Sequence, residues 1–286
     1  MRRLLSLALG GWLMLGLPAT AGVINLNRDE VPSPGHFSLV TQGLFAPYQL
    51  IVLNGQTFGQ NPPEKAYYRL GVASQLEAGL LPDVGMSFTL PFAFSRRVDG
   101  SEQTGGLADL NLGLFWRLAQ TPRATWKAKV HANIGAGNLV GRISEGVPSV
   151  GLENSLRMEL MPRFLYGHLN LNYLYQLRST GLSTTTDLPV VLWRGQRVQL
   201  NGALEAALMP GLTGLVEVLT QYDIPSESQR QIVPKTGDYW VAVAPGLSVA
   251  FTPTAAGQLS VVMPLLRGGY QDSFYLSVVT GLTLGF

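Results

Sequence analysis

The sequence has no cysteine and few charged residues. Of its 286 residues, 13% are Asp, Glu, Lys or Arg, whereas a soluble domain has about 25%. Without cysteine the chain has no disulfide, no thiolate metal site and no cysteine nucleophile. An apolar content of 46% and a mean hydropathy of +0.18 exclude a disordered chain. We therefore expect a folded protein whose surface is poor in charge.

The first 21 residues have the features of a cleaved secretory signal. Arg2 and Arg3 form a positive start, residues 4–17 are apolar, and Ala19-Thr20-Ala21 is a small-residue cleavage site. The apolar stretch is shorter than the about 20 residues that a membrane-spanning helix needs. We predict that the chain is exported and cleaved before Gly22.

The positive charge of the whole chain belongs to this leader. The chain has 20 basic and 18 acidic side chains, so removal of Arg2 and Arg3 leaves a formally neutral protein. A neutral protein lacks the electrostatic attraction on which nucleic-acid binding depends. We therefore expect no nucleic-acid partner.

Beyond residue 22 the sequence also lacks an apolar run long enough for a membrane helix. Instead, apolar and polar residues alternate over 10 to 14 positions, which is the period of a β-strand with two unlike faces. At the C-terminus Leu282, Leu284 and Phe286 alternate with Thr283 and Gly285. Such strands are longer than the usual five or six residues of a soluble sheet.

Short and long connections separate these strands in turn. Five short turns contain Pro82, Pro122, Pro162, Pro210 and Pro253, which recur every 40 to 48 residues, and long polar loops lie between them. This repeat of hairpins predicts twelve strands with both termini on the short-turn side. The predicted strands are 37–53, 67–79, 84–95, 106–118, 124–136, 150–160, 164–177, 197–208, 213–222, 238–251, 257–266 and 273–286.

The features of these strands favour a barrel in a membrane over a soluble barrel. Aromatic residues gather at both ends of the apolar face, as in the interfacial girdles of outer-membrane barrels. They are Trp116, Trp126, Phe251 and Phe286 toward the turns, and Tyr68, Phe94, Tyr175, Tyr222 and Phe274 toward the loops. We predict an all-β, transmembrane, antiparallel up-and-down barrel of about 12 strands over residues 36–286. Both termini are periplasmic, and residues 22–35 form a short periplasmic segment.

The non-lipid face then lines a lumen whose ionisable residues concentrate on the fourth to seventh strands. We expect short turns to place Asn111 opposite His131, Phe115 opposite Lys127, and Arg157 opposite His168. These charges either brace a narrow interior or line one wall of a permeation path. The candidate lumen-lining and selectivity residues are Arg69, Glu77, Asp109, Arg117, Lys127, Lys129, His131, Glu153, Arg157, Glu159 and His168.

Two further features leave alternatives open. The loop 178–196 contains an apolar stretch, residues 188–193, that either folds into the mouth of the barrel or forms a strand pair above the membrane. Pro91, Pro245 and Pro264 interrupt predicted strands and should lie at bulges, because proline cannot donate to a ladder. Each bulge either bends the wall or opens it sideways into the lipid.

The sequence carries little sign of catalysis. A serine follows a histidine at the spacing of outer-membrane lipid hydrolases only in His36-Phe37-Ser38, which precedes the first strand. We find no metal-ligand motif, no phosphate-binding glycine loop and no dinucleotide fingerprint. We expect a protein that is not an enzyme and that uses no catalytic residue, metal or cofactor.

Two stretches resemble a known family. Residues 74–92 followed by residues 106–118 are similar to the bacterial outer-membrane transporter family of the MetA pathway of phenol degradation. Asp109, Leu110, Leu112 and Gly113 match its Gly-x-Gly-Asp-Leu-x-Leu-Gly strand, while Ala108 replaces the second glycine. The resemblance implies a channel for small, aromatic or otherwise hydrophobic solutes.

Together these observations predict a passive channel in the outer membrane of a Gram-negative bacterium. Its expected partners are outer-membrane lipids, a small solute, and the barrel-assembly machinery, which would recognise the terminal Phe286. The alternatives are a structural or adhesive barrel with a sealed lumen and functional loops, and a lipid-modifying hydrolase that uses His36.

Overall fold

The structure is a computed structural model that describes residues 31–53, 57–60, 67–97, 103–134, 148–177, 179–182, 189–193, 195–225, 227–228, 231–232, 238–252, 254–269 and 274–286. The predicted leader over residues 1–21 lies outside this part of the chain. No helix long and apolar enough to cross a membrane occurs within the described ranges.

Twelve long antiparallel strands form the structure, each next to its neighbour in sequence. The first six are β1 (Phe37–Leu53), β2 (Tyr67–Leu81), β3 (Val84–Arg97), β4 (Leu110–Gln120), β5 (Ala124–Ile134) and β6 (Ser149–Met161). The others are β7 (Leu165–Gln176), β8 (Gln196–Met209), β9 (Leu212–Asp223), β10 (Asp238–Thr252), β11 (Ala255–Gly269) and β12 (Phe274–Gly285). These bounds agree closely with the predicted strands, except that the fourth begins at Leu110 and residues 106–107 belong to a separate short strand, Gln103–Leu107, that pairs with β3.

Pairing between the first and last strands closes the barrel. The ladder of β1 and β12 runs from Ser38 opposite Gly285 to Leu50 opposite Phe274. Phe37 and Phe286 exchange backbone hydrogen bonds, the two N–H···O distances being 2.9 and 3.1 Å. Closure pairs every edge strand, which is the requirement for a sheet surrounded by lipid.

The alternation of the sequence sets the two faces of the wall. Large apolar side chains point outward and are exposed, including Leu112, Leu114, Leu152, Leu169, Leu171, Leu200, Leu204 and Leu282. Polar and small side chains point inward and are buried. A contiguous apolar belt of this kind is the surface that a bilayer covers.

The predicted aromatic girdles agree with the described side chains. Trp126, Phe251 and Phe286 are exposed near the turns, and Tyr175 and Tyr222 are exposed near the loops. The side chains of Tyr68 and Phe274 lie outside the described residues.

Irregular pairing marks the predicted proline positions. The ladder of β1 shifts register between Phe45 and Tyr48, around Pro47. Between β3 and β4 the ladder is broken at Ala108, whose N–H donates to the carbonyl of Pro91. Pro264 is next to a register shift in the ladder of β10 and β11. The prediction of bulges is thus confirmed at Pro91 and Pro264 and wrong at Pro245, where pairing is interrupted but the register is the same on both sides.

The apolar loop stretch forms a strand pair. Pro189–Trp193 pairs with Ser179–Leu182 and, on its other side, with Glu227–Ser228. Glu227–Ser228 pairs in turn with Gln231–Ile232, which completes a four-stranded sheet that is separate from the barrel.

The chain before β1 packs on the lumen side at the turn end of the barrel. The N–H of Gly35 donates to the carbonyl of Gly79, and Val31 is buried. The carbonyls of Pro32 and Ser33 lie where a side chain on Gly79 would be. Because the neighbouring Glu77 points into the lumen, this contact places residues 32–33 inside the barrel rim.

Candidate functional site: the lumen

The lumen has two unlike walls. We call the inward-facing side chains of β4–β8 the polar wall, which consists mainly of Asn111, Lys127, Lys129, His131, Asn133, Glu153, Asn170, Asn172, Gln199 and Glu205. We call those of β9–β12 and β1 the apolar wall, which includes Leu215, Leu219, Trp240, Ala242, Ala244, Val262, Val279, Val40 and Leu44. Serines, threonines and a few larger polar residues interrupt the apolar wall.

A relay of side-chain hydrogen bonds crosses the polar wall. Nδ2 of Asn111 donates to Oδ1 of Asn133 at 2.6 Å and lies 3.0 Å from Nδ1 of His131. Nε2 of His131 lies 3.3 Å from Oδ1 of Asn172. Because the amide donates to Nδ1, the ring proton belongs on Nε2, which then donates to Asn172.

The relay continues in the same direction as far as β9. Asn172 donates to Gln199 at 3.3 Å, and Gln199 donates to Gln221 at 2.9 Å. Gln221 donates to Oδ2 of Asp223 at 2.7 Å, and Nε of Arg197 donates to Oδ1 of the same carboxylate at 2.6 Å. Within this relay the amides of Asn111, Asn172 and Gln199 each donate toward β9, and the last acceptor is the carboxylate of Asp223. Aligned hydrogen bonds of this kind polarise and strengthen one another.

The relay crosses β6 because that strand has a glycine at the crossing point. His131 on β5 reaches Asn172 on β7, and its imidazole lies over Gly151 of β6. A side chain at position 151 would occupy the space of the ring. On the other side of β5, Lys129 extends over Gly113 of β4 toward Ser87 of β3 in the same way.

The remaining charged residues of the polar wall have specific partners. Nε2 of His168 lies 2.9 Å from Oε2 of Glu205, and Asn170 donates to Glu153 at 2.7 Å. The guanidinium of Arg157 lies 4.0 Å from the ring centroid of Tyr166, and Nζ of Lys127 lies 5.1 Å from that of Phe115. These contacts hold the charged groups against the wall.

Two candidate residues lie at the turns. Arg117 donates to Oδ1 of Asp83 at 2.8 Å and to the carbonyl of Pro82 at 2.8 Å. Glu159 accepts a hydrogen bond of 2.6 Å from the N–H of Arg163. Both side chains therefore fasten turns at the end of the barrel that has the short turns.

The other candidates are divided between three places. Glu77 is buried and accepts a 2.6 Å hydrogen bond from Gln75. Asp109 is buried at the break before β4. The backbone of Arg69 belongs to β2, and its side chain lies outside the described residues.

The predicted register of two facing pairs was wrong by two residues, which leaves the same side chains facing the lumen but changes their partners. Asn111 lies opposite Asn133, and Phe115 lies opposite Lys129. The reason is a bulge between Arg117 and Ala119, together with a wide turn in which the N–H of Thr121 donates to the carbonyl of Ala124. Asn111 still reaches His131 along the diagonal. Arg157 lies opposite His168, as predicted.

The candidate hydrolase residues differ in exposure. His36 is exposed, whereas Ser38 is buried on the lumen face and its Oγ has no hydrogen-bond partner among the described residues. No group of three or more metal-ligating side chains occurs in the part of the chain that the structure describes.

Comparison with known proteins gives structural neighbours only. No family model and no curated protein matches the sequence. The crystal structure of the COG4313 outer membrane channel from Pseudomonas putida F1 superposes with a TM-score of 0.77 at 11% identity. The match covers 92% of this chain and 100% of that chain. The NanC porin superposes with a TM-score of 0.52 at 8% identity, over 86% of this chain and 98% of its own.

This chain has the fold of an outer-membrane β-barrel. In this barrel, sequence reasoning from ionisable residues alone missed the amide relay. A signal for the relay was available, because Asn111, Asn133, Asn172, Gln199 and Gln221 all fall on the lumen phase of their strands.

Proposed function

We propose that this protein is a passive channel for small solutes in the outer membrane of a Gram-negative bacterium. The observation that carries the proposal is the lumen with its polar and apolar walls. A lumen that only had to support the barrel would need no wall with so many apolar residues, since the outward face already meets the lipid. Two unlike walls suit a solute that has both an apolar body and polar groups, such as a small aromatic compound.

Selectivity in this proposal resides in the polar wall. Rings or walls of fixed charge select permeating species by electrostatics, and Lys127, Lys129, His131, Glu153, Arg157 and His168 supply such charges here. Asp109, Glu77 and Arg69 would contribute from the neighbouring strands. Diffusion through such a path needs no cofactor and no catalytic residue.

Export and assembly follow from the two ends of the chain. Residues 1–21 would direct the protein out of the cytoplasm, and Phe286 would present the terminal strand to the barrel-assembly machinery. The exposed apolar belt would then be covered by outer-membrane lipids.

The burial of the lumen side chains favours a second candidate, a structural or loop-mediated adhesive barrel with a sealed interior. Side chains of the polar wall are buried and joined across several strands, and residues 32–33 enter the rim. Roughly eight strands give a filled interior and about 16–18 give an open channel, so twelve permit either state. Uptake of small solutes by liposomes that contain the protein separates the two candidates.

A further inference from the structure

Glu217 has a buried carboxylate that makes no hydrogen bond within the described part of the chain. The residue is 2% exposed, and both Oε1 and Oε2 lack a partner. It lies in the middle of β9, on the lumen face between Leu215 and Leu219, which are also buried. It is thus an acidic group set between apolar residues of the apolar wall.

The cross-strand neighbours explain why this carboxylate is unpartnered. Glu217 lies opposite Ala203 on β8 and Ala244 on β10, and neither side chain has a polar atom. On the diagonal, Ala242 of β10 is again apolar, whereas the polar residues Asn201 and Glu205 of β8 have partners of their own, the N–H of Thr220 and the imidazole of His168.

Other buried carboxylates of the lumen differ in this respect. Glu77 accepts a hydrogen bond from Gln75, Glu153 accepts one from Asn170, and Glu205 lies against His168. Burying an ionised carboxylate without a partner is costly, so a charge of this kind is normally paired. The described part of the wall supplies no such partner for Glu217.

We propose that Glu217 and the apolar residues around it bind the ammonium group of a small amphipathic amine. This inference rests on the proposed function and specifies one class of solute for it. The carboxylate would accept charge-assisted hydrogen bonds from the ammonium group. The apolar body of the amine would lie against Leu215, Leu219 and Ala244.

An organic ammonium suits this site better than a metal ion. Calcium takes six to eight oxygen ligands and magnesium keeps several waters around a few carboxylates. Here one carboxylate supplies two oxygens, and its same-strand and directly opposite neighbours Leu215, Leu219, Ala203 and Ala244 supply no side-chain oxygen. The carboxylate on the diagonal, Glu205, already lies against His168.

Binding is tested by calorimetric titration of the purified full-length protein in detergent with three probes of matched shape. These are benzylammonium, benzyl alcohol and benzoate. We expect benzylammonium to bind the unaltered protein at least about tenfold more tightly than benzyl alcohol, as for a hydrogen bond to a charged group. Benzoate should bind most weakly. Equal affinity for all three probes, or displacement of benzylammonium by calcium chloride at matched ionic strength, would overturn the inference.

The variant Glu217→Gln isolates the carboxylate. It should lose the preference for benzylammonium over benzyl alcohol, and it should fold, because it removes an unpaired buried charge while keeping the shape. Asp83→Asn removes the same charge from an exposed turn and should keep the preference. A preference retained in Glu217→Gln would contradict the inference. The probe series on the unaltered protein needs no variant and decides independently.

These measurements separate this inference from the proposed function. Solute flux through the protein without any preference for the amine would overturn the Glu217 site and leave the channel intact. Amine binding without flux of any solute would support the Glu217 site and overturn the proposed channel.

Discussion

His131 on β5 and Asn172 on β7 are joined by a side-chain contact of 3.3 Å that spans the strand between them. The contact exists because β6 has Gly151 directly beneath the imidazole ring. It connects the amides of β4 and β5 to those of β7, β8 and β9. One glycine therefore makes a single relay out of two separate clusters.

Gly151→Ala should break this relay. Its methyl group would overlap with the imidazole of His131, and displacement of the ring would leave buried polar atoms unpaired. We expect the free energy of unfolding in lipid vesicles to fall by about 1–3 kcal/mol. Denaturant titration monitored by tryptophan fluorescence measures this change.

Gly281→Ala on the lumen face of β12 is the matched control. A Cβ atom there would have its closest contact at 3.4 Å, with Gln258. Since alanine is favoured over glycine within a strand by roughly 0.5–1 kcal/mol, this variant should be neutral or slightly stabilised. Equal stabilities of the two variants would argue against the relay as a stabilising element.

Reversal of charge at Lys127 and Lys129 should change ion selectivity. Both residues are buried on the polar wall, so their charges act in a lumen that is screened less than the surface. In planar bilayers with a salt gradient, we expect Lys127→Glu combined with Lys129→Glu to shift the reversal potential toward cation selectivity.

The control for this experiment carries the same change of net charge at the short turns. Arg123 and Arg163 are exposed there, and reversal of both to glutamate should leave the reversal potential nearly unchanged. If the two double variants behave alike, the polar wall does not set selectivity.

The outward face should show the depth dependence of a bilayer. Leu171 lies in the middle of β7, and Leu208 lies near the turn end of β8; both are exposed. We expect Leu171→Arg to reduce the free energy of unfolding in lipid vesicles by about 2–4 kcal/mol, and Leu208→Arg by about 0–1 kcal/mol. Similar losses for both variants would mean that the belt is not lipid-exposed as assigned.

The strands and the two faces of the barrel were predictable because they depend on local periodicity. Alternation fixed which side chains of β5 face inward: Lys127, Lys129, His131 and Asn133 are all buried, as predicted. Proline turns fixed the ends of the hairpins. The irregular positions of Pro47, Pro91, Pro245 and Pro264 also follow from chemistry that is visible in the sequence, since proline has no N–H to donate.

The contacts inside the lumen were less predictable because they depend on register and on distant strands. The wide turn after β4, together with the bulge between Arg117 and Ala119, moved Asn111 from the position opposite His131 to that opposite Asn133. The isolation of Glu217 depends on which residues of β8 and β10 lie beside it. Alternation places Glu217 in the lumen but cannot show that its neighbours are alanines.

Solute uptake by reconstituted liposomes tests the central claim most directly. Liposomes that contain the folded protein, verified by anomalous gel migration before boiling, are compared with empty liposomes and with liposomes that contain heat-denatured protein. We predict that small amphipathic aromatic solutes enter faster with folded protein, in proportion to its amount, while large oligosaccharides stay out. Uptake no faster than in empty liposomes, with folded protein present, would contradict the channel and favour the sealed barrel.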